Sequence, residues 1–397
     1  MKKIFVSRAI VMVCLSASLF TSVSCRKEPV PAETENSPVS LDELARVFSN
    51  LPLEPWHIEE VHAAVTASSA NGYDEEYMLS DVFLSPGSGV GASEEETKAF
   101  LPNRAGSLRD VLREYLERKY ATKSDGGPYP DAETYISALI ASDAQIYWPY
   151  SEEWDGTSYP VVTFNPGTEV SSNVGYRMSP DGSAEEVVVN EEKAMNGNVW
   201  VINRNEDSGH LTLEMLRRQN PDWGHGGCIV VKSGDTDNMS GTKTLVLKSF
   251  EARRNFDTWF CGGSEFFCRS GAVEDFQAST EAEMYLYSPS ITDFMVVVKR
   301  SQVGQPLPFN AVLISEWTDQ LQALAFMITE DDGGTRTTWK CSAMVKIQSK
   351  SYGFEIELPL NSRDDIVWRG QISRKYLEKN NDVEGHFGDA YLTFALD

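Results

Sequence analysis

Histidine is scarce in this chain, with five residues in 397. Imidazole is the usual raw material of acid–base and zinc chemistry near neutral pH, so this scarcity counts against such sites. His57 and His62 stand five apart, about 500° around a helix, and do not share a face. The "HIEEVH" segment therefore lacks the i, i+4 spacing of H-E-x-x-H. Positive charge is also short, with 35 Lys and Arg against 59 Asp and Glu and a formal net charge of -24. Such a surface repels a phosphate backbone, and no nucleic-acid partner is expected. Nucleophile and phosphate motifs are missing too. "CGGSEF" is not a G-x-S-x-G elbow. "PGSGVG" lacks G-x-G-x-x-G spacing. "GDTDNMSG" puts Met239 and Val246 where an EF-hand needs ligands. In "WGHGGC", His225 and Cys228 are neighbours in one glycine turn, whereas catalytic His–Cys pairs meet from separate segments.

No apolar run is long enough to span a bilayer. The longest, "AIVMVCLSASLF" from Ala9 to Phe20, is too short at about 1.5 Å per residue to cross a core of about 30 Å. With Lys2, Lys3 and Arg8 before it and Ser22 and Ser24 after it, it reads as a secretory signal peptide over 1–24. The segment "SVSC" then places Cys25 at the cut. This resembles the lipobox of bacterial lipoproteins, whose cysteine thiol carries a diacylglyceryl group. Two or more acyl chains hold a protein stably on a membrane at about 0.8 kcal/mol per buried CH₂. The resemblance implies lipidation of Cys25, a membrane partner through that anchor, and a cell-envelope location at the outer membrane, facing the periplasm or the exterior. Residues 25–40, rich in proline and charge, read as a flexible tether. Losing the leader's three cations takes the net charge from -24 to about -27.

Beyond the tether the chain reads as α+β, in three regions. Residues 41–142 are expected to be helical. Ser40 and Glu43 form a capping box, Pro55 suits a first helical position, and Asn71-Gly72 is a stop. Ser107 and Asp110 cap a third helix, in which Leu108, Val111, Leu112, Tyr115 and Leu116 line one face. A short helix follows at 131–141. Residues 143–275 read as β-rich, with "QIYWPY", "YPVVTF", "EEVVV", "NVWVIN" and "KTLVLKSFEARRNFDTWF" between turns. A short helix at 211–220 interrupts them. Residues 285–397 alternate most clearly, as in Trp339, Cys341, Ala343, Val345 and Ile347, and again in Phe354, Ile356, Leu358 and Leu360. About seven such strands predict an antiparallel β-sandwich. Cleavage and lipidation leave Cys228, Cys261, Cys268 and Cys341, and three disulfide pairings are open to them. Cys261 and Cys268 offer a local bridge. Cys341, on the apolar face of its strand, reads as a buried thiol.

Two clusters offer binding chemistry. Glu330, Asp331 and Asp332 lie in the turn "TEDDGG", and one strand out and one strand back return the chain to Asp364 and Asp365. Five carboxylates at one end of a sheet suit Ca²⁺, which takes hard oxygen ligands. The alternative is two solvated acidic turns neutralised by Arg336 and Arg363. Tyr147, Trp148, Tyr150 and Trp154 in "IYWPYSEEW" would form an aromatic ligand platform if exposed, and core if not. The chain as a whole resembles the uncharacterised lipoproteins of Bacteroidota through "SVSC" and, more loosely, "NGYDEEY" and "WFCGGSEFF". That resemblance brings no activity with it. The expected function is a non-catalytic binding or accessory module with a glycan or protein partner. The alternatives are a carboxylate-dependent hydrolase of polysaccharide or envelope polymers, using acids of "GYDEEY" and of the β-rich middle region, and a structural part of a surface complex.

Overall fold

The structure, a computed structural model, describes residues 39–83, 106–122, 129–178, 184–205, 212, 214–215 and 242–397. The signal peptide, Cys25, nearly all of the tether, the "PGSGVG" segment, His225, Cys228 and "GDTDNMSG" lie outside these residues. So does most of the helix expected at 211–220. Among the described residues the fold mixes helix and strand, is richer in strand, and contains three sheets.

Among the described residues, the first part of the chain has five helices: α1 (Leu41–Ser49), α2 (Pro55–Ala70), α3 (Leu79–Phe83), α4 (Leu108–Thr122) and α5 (Ala132–Ile140). Their ends follow local chemistry. Ser40 Oγ accepts the amide of Glu43, and Pro55 opens α2. Ser107 and Asp110 exchange side-chain and backbone hydrogen bonds ahead of α4, while Asp131 caps α5. Each such cap is worth about 1 kcal/mol. In α4 the rhythm Leu108, Leu112, Leu116 is buried, as its sequence period requires.

These helices are not a body of their own. They cover one face of a six-stranded sheet ordered β1 (Glu76–Met78), β2 (Ala144–Tyr147), β6 (Val199–Arg204), β3 (Val161–Phe164), β4 (Ser172–Met178) and β5 (Ala184–Asn190). All of its pairs are antiparallel except β3 with β6. Trp148, Trp200, Ile202 and Tyr176 meet the helices in one core. On the opposite face Tyr147, Val161, Val199 and Val201 meet Trp259 and Phe260, which arrive from far along the chain. A strand covered on both faces reads as a continuous apolar run, which is why "VWVI" does not alternate.

The remaining strands form two antiparallel sheets. One is ordered β10 (Leu307–Trp317), β7 (Lys243–Ala252), β16 (Ala390–Leu396) and β15 (Glu384–Phe387). The other runs β13 (Lys350–Asn361), β12 (Arg336–Ile347), β11 (Leu321–Glu330), β8 (Ser264–Ala272) and β9 (Ser290–Val298), with β14 (Asp365–Ser373) also paired to β11. Both sheets supply one core, with Leu245, Leu247 and Phe394 from the first and Phe266, Phe326 and Val345 from the second.

Strand pairing crosses the boundaries expected at 143 and 275. Strands β2 to β6 join β1 under the helices, whereas β7 and β8 pair with strands after residue 290. Alternation reveals which face of a strand is apolar but not which strand lies beside it. Cys261 and Cys268 are both free thiols. Cys268 sits in the core of β8, and an extended strand carries it away from Cys261. Cys341 is also free, half-buried against the core, with its Sγ 3.4 Å from the carbonyl of Ile356.

Phe260 is fully buried and belongs to the far half of the chain, yet it packs on the first sheet. Phe260→Ala should cost about 3–5 kcal/mol. Urea unfolding of wild type and variant measures the loss.

Candidate functional site

The helix α2 ends at Asn71-Gly72, and Gly72 takes a φ of 81° that favours glycine. The reversal throws Tyr73, Asp74 and Glu75 away from the helix and into β1. Asp74 and Glu75 are only 4% and 2% exposed. Asp74 Oδ2 accepts the amide of Gly263 at 2.5 Å. A Cβ on Gly262 would lie 2.8 Å from that same oxygen, and one on Gly263 would lie 2.7 Å from the carbonyl of Val298. Only glycines admit this approach. Thus "NGYDEEY" and "WFCGGSEFF", distant in sequence, are two sides of one buried contact between the first sheet and the other two.

Neighbouring groups extend this seam. Asn203 Nδ2 donates to the carbonyls of Phe260 and Cys261 at 3.2 and 2.7 Å. Arg300 Nε pairs with Glu191 at 2.5 Å, and its Nη1 donates to the carbonyls of Asp257 and Gly262 at 3.3 and 3.0 Å. Glu75 accepts Ser151 Oγ at 2.8 Å and the amides of Ser151 and Tyr150 at 3.1 and 3.3 Å, with Lys299 Nζ 3.9 Å away. Burial, then a hydrogen bond with Glu152 and the charge of Asp74, push Glu75 up to about 9 against the pull of Lys299. Burial also raises Glu152, but hydrogen bonds from Glu75 and Ser301 outweigh it and hold that group at about 2. One proton thus rests on Glu75 and is shared toward Glu152.

The acids expected at the sheet end separate into two sets. Glu330 and Asp365 are directly paired across β11 and β14. Oxygens of Glu330, Asp332 and Asp365 lie within 4.8 Å of one another. Asp331 and Asp364 turn elsewhere. Asp331 Oδ1 accepts Gly333 N at 2.9 Å and Asn361 Nδ2 at 3.0 Å. Asp364 Oδ2 accepts Asn361 N at 2.9 Å and lies 4.0 Å from Arg269 Nη1. Burial, with Asp331 beside it, pushes Asp364 up to about 6. These two close turns and do not join the trio.

A second trio, Asp257, Glu265 and Glu330, meets the same 4.8 Å condition. Glu330, 0% exposed, belongs to both. Sequence reasoning missed Asp257 and Glu265. They flank the glycine pair in "DTWFCGGSE", and only the register of β8 against β11 shows that they reach Glu330.

Two of the four residues of the expected aromatic platform lie in the core, and Tyr150 and Trp154 are half-buried. Tyr147 and Trp148 are each 1% exposed, and Trp148 packs against Trp154, Trp200 and His62. Tyr150 hydrogen-bonds Glu191, and Trp154 Nε1 donates to the carbonyl of Ser158. The apolar neighbours of this segment draw the rings inward. His57 is buried, receiving the amide of Glu54 on Nδ1 and facing the carbonyl of Gly106 with Nε2, while His62 Nε2 faces the carbonyl of Ser151. A cavity of about 170 Å³ lies beside Gly72, Tyr73, Glu214 and Lys299, and among the described residues Glu214 is the one carboxylate in its wall.

A scan against protein-family models, a search of curated proteins and a search of solved structures each found no match.

Because Glu75 holds its proton in the fold and releases it near pH 4.5 when unfolded, its contribution to stability is complete below that pH. It is lost as pH rises toward 9. Glu75→Gln keeps the neutral form at every pH. Thermal unfolding should show the variant gaining on wild type from pH 5 to 9, by at most roughly 1.4 kcal/mol per pH unit. A gap that stays constant with pH would contradict the buried proton.

Proposed function

We propose that this chain is a lipid-anchored protein of the cell envelope that serves as a non-catalytic binding module, with a calcium ion held by Glu330, Asp332 and Asp365. In this reading Cys25 carries the lipid, residues 26–40 form the tether, and the outer membrane is the partner surface. The body is a helix-covered sheet joined to a β-sandwich formed by the two later sheets. Among the described residues no helix is long and apolar enough to cross a membrane. An attachment through Cys25 does not require one.

One observation carries the binding role: a fully buried carboxylate, Glu330, shares its surroundings with the oxygens of Asp332 and Asp365. At about 4 Å and an effective dielectric near 20, two ionised carboxylates repel by roughly 4 kcal/mol. A hard divalent cation turns that repulsion into coordination. The hydrolase alternative finds less support. Of the acids expected from "GYDEEY", Asp74 and Glu75 are buried in the seam, and the space among the seam acids is about 10 Å³. That is room for one water and not for a sugar ring.

Two measurements test the reading. Cys25→Ser should abolish incorporation of radiolabelled palmitate and release the protein from membranes into the soluble fraction. Calcium at 100 times its Kd should raise stability by about 2.7 kcal/mol, and Asp332→Asn with Asp365→Asn should remove most of that gain in a thermal-shift titration. Unchanged membrane attachment would overturn the anchor, and an undiminished calcium response would overturn the ion site.

A further inference from the structure

We propose a second calcium site inside the seam, held by Asp74, Asp257, Glu265 and Glu330, where one ion fastens the first sheet to the other two. It shares Glu330 with the strand-end site proposed above but does not depend on that site being filled.

Asp257 and Glu265 connect a carboxylate trio with a small buried cavity. Oxygens of Asp257, Glu265 and Glu330 lie within 4.8 Å of one another. Asp257 and Glu265 also line a cavity of about 10 Å³, together with Asp74, Glu76 and Cys261. That volume takes a single water or a single bare ion. Asp74, 4% exposed, lines the same cavity, and its Oδ1 makes no hydrogen bond although Oδ2 is held by Gly263. Asp257 Oδ2 is likewise buried without a hydrogen bond. Two buried oxygens without donors, on residues that line a space of atomic size, are what a coordinated cation satisfies.

The charge balance points the same way. Arg204 brings one guanidinium to the cavity wall, and Lys299 and Arg300 act on Asp74 from beyond it, against the carboxyls of Asp74, Glu76, Asp257 and Glu265. Glu76 Oε2 accepts Asn205 Nδ2 at 3.0 Å. The donor set is oxygen. Cys261 Sγ is already within 3.3 Å of Asn165 Nδ2 and 3.2 Å of Thr258 Oγ1. A hard oxygen set selects calcium over zinc or copper. Carboxylates that bind through both oxygens, with water, complete six to eight ligands.

The ligands come from three distant segments: the turn after α2, the two flanks of the glycine loop, and the end of β11. An ion there closes the seam over Cys261. The test uses the full chain in detergent, stripped with a chelator and then given CaCl₂ alone. Calcium should slow iodoacetamide labelling of Cys261, read by peptide mass spectrometry, at least tenfold in wild type. The protection should persist in Asp332→Asn/Asp365→Asn and vanish in Asp257→Asn/Glu265→Gln. By calorimetry the wild type should take up two ions and each double variant one. Equal Cys261 labelling with and without calcium in wild type would overturn the seam site, and that measurement needs no variant to fold. If the strand-end site alone fails, wild type takes up one ion and Cys261 stays protected.

Discussion

Asp74 and Gly263 approach to 2.5 Å, and much of the architecture is arranged to allow it. The approach needs a helix that stops at Asn71, a glycine at 72 that reverses the chain, and a glycine pair at 262–263 that leaves the amide bare. It also needs Trp259 and Phe260 pressed onto the first sheet, because their burial delivers the loop to the acid. Hydrophobic burial supplies the driving force, and the hydrogen bond sets the register. Changing a glycine at 262 or 263 would strike backbone or carboxylate, which a flexible neighbour cannot absorb.

Electrostatics follows from the same contact. Drawing Asp74 out of water brings Glu75 with it, and a second buried acid beside the first is kept protonated. Lys299 and Arg300 offset part of the cost, and both enter from the residues just after β9. Buried charge that must be paired is demanding of geometry, so each partner restricts the others. The seam is therefore specific as well as closed.

Local rules were readable from residue types. Ser40, Pro55 and the Ser107–Asp110 pair mark where helices begin, since capping depends on neighbours three or four residues away. Alternation in Trp339–Ile347 and Phe354–Leu360 marks apolar faces of strands. Partnership was not readable. Nothing in "KTLVLKSF" says that β16 and β10 flank it. The convergence of Glu330 with Asp365 followed from counting one strand out and one back. Asp331 and Asp364 sit next to those residues in sequence but point into turns, which the count alone does not reveal. Asp257 and Glu265 stayed hidden because a loop brings in the first and the pairing of β8 with β11 brings in the second. Tyr147 and Trp148 look like binding residues by composition and are core by burial.

The excursion between β7 and β8 has a consequence for dissecting the molecule. Its two aromatics, Trp259 and Phe260, belong by chain order to the later strands and by packing to the earlier sheet. A fragment beginning at residue 243 would carry them without the surface that shelters them. It would present a sticky apolar tip to its neighbours in solution. The earlier fragment would keep an oily floor over Val199 and Val201. Mixing the halves should thus reunite them through this plug and socket, in the manner of a split protein whose cut lies far from its joint.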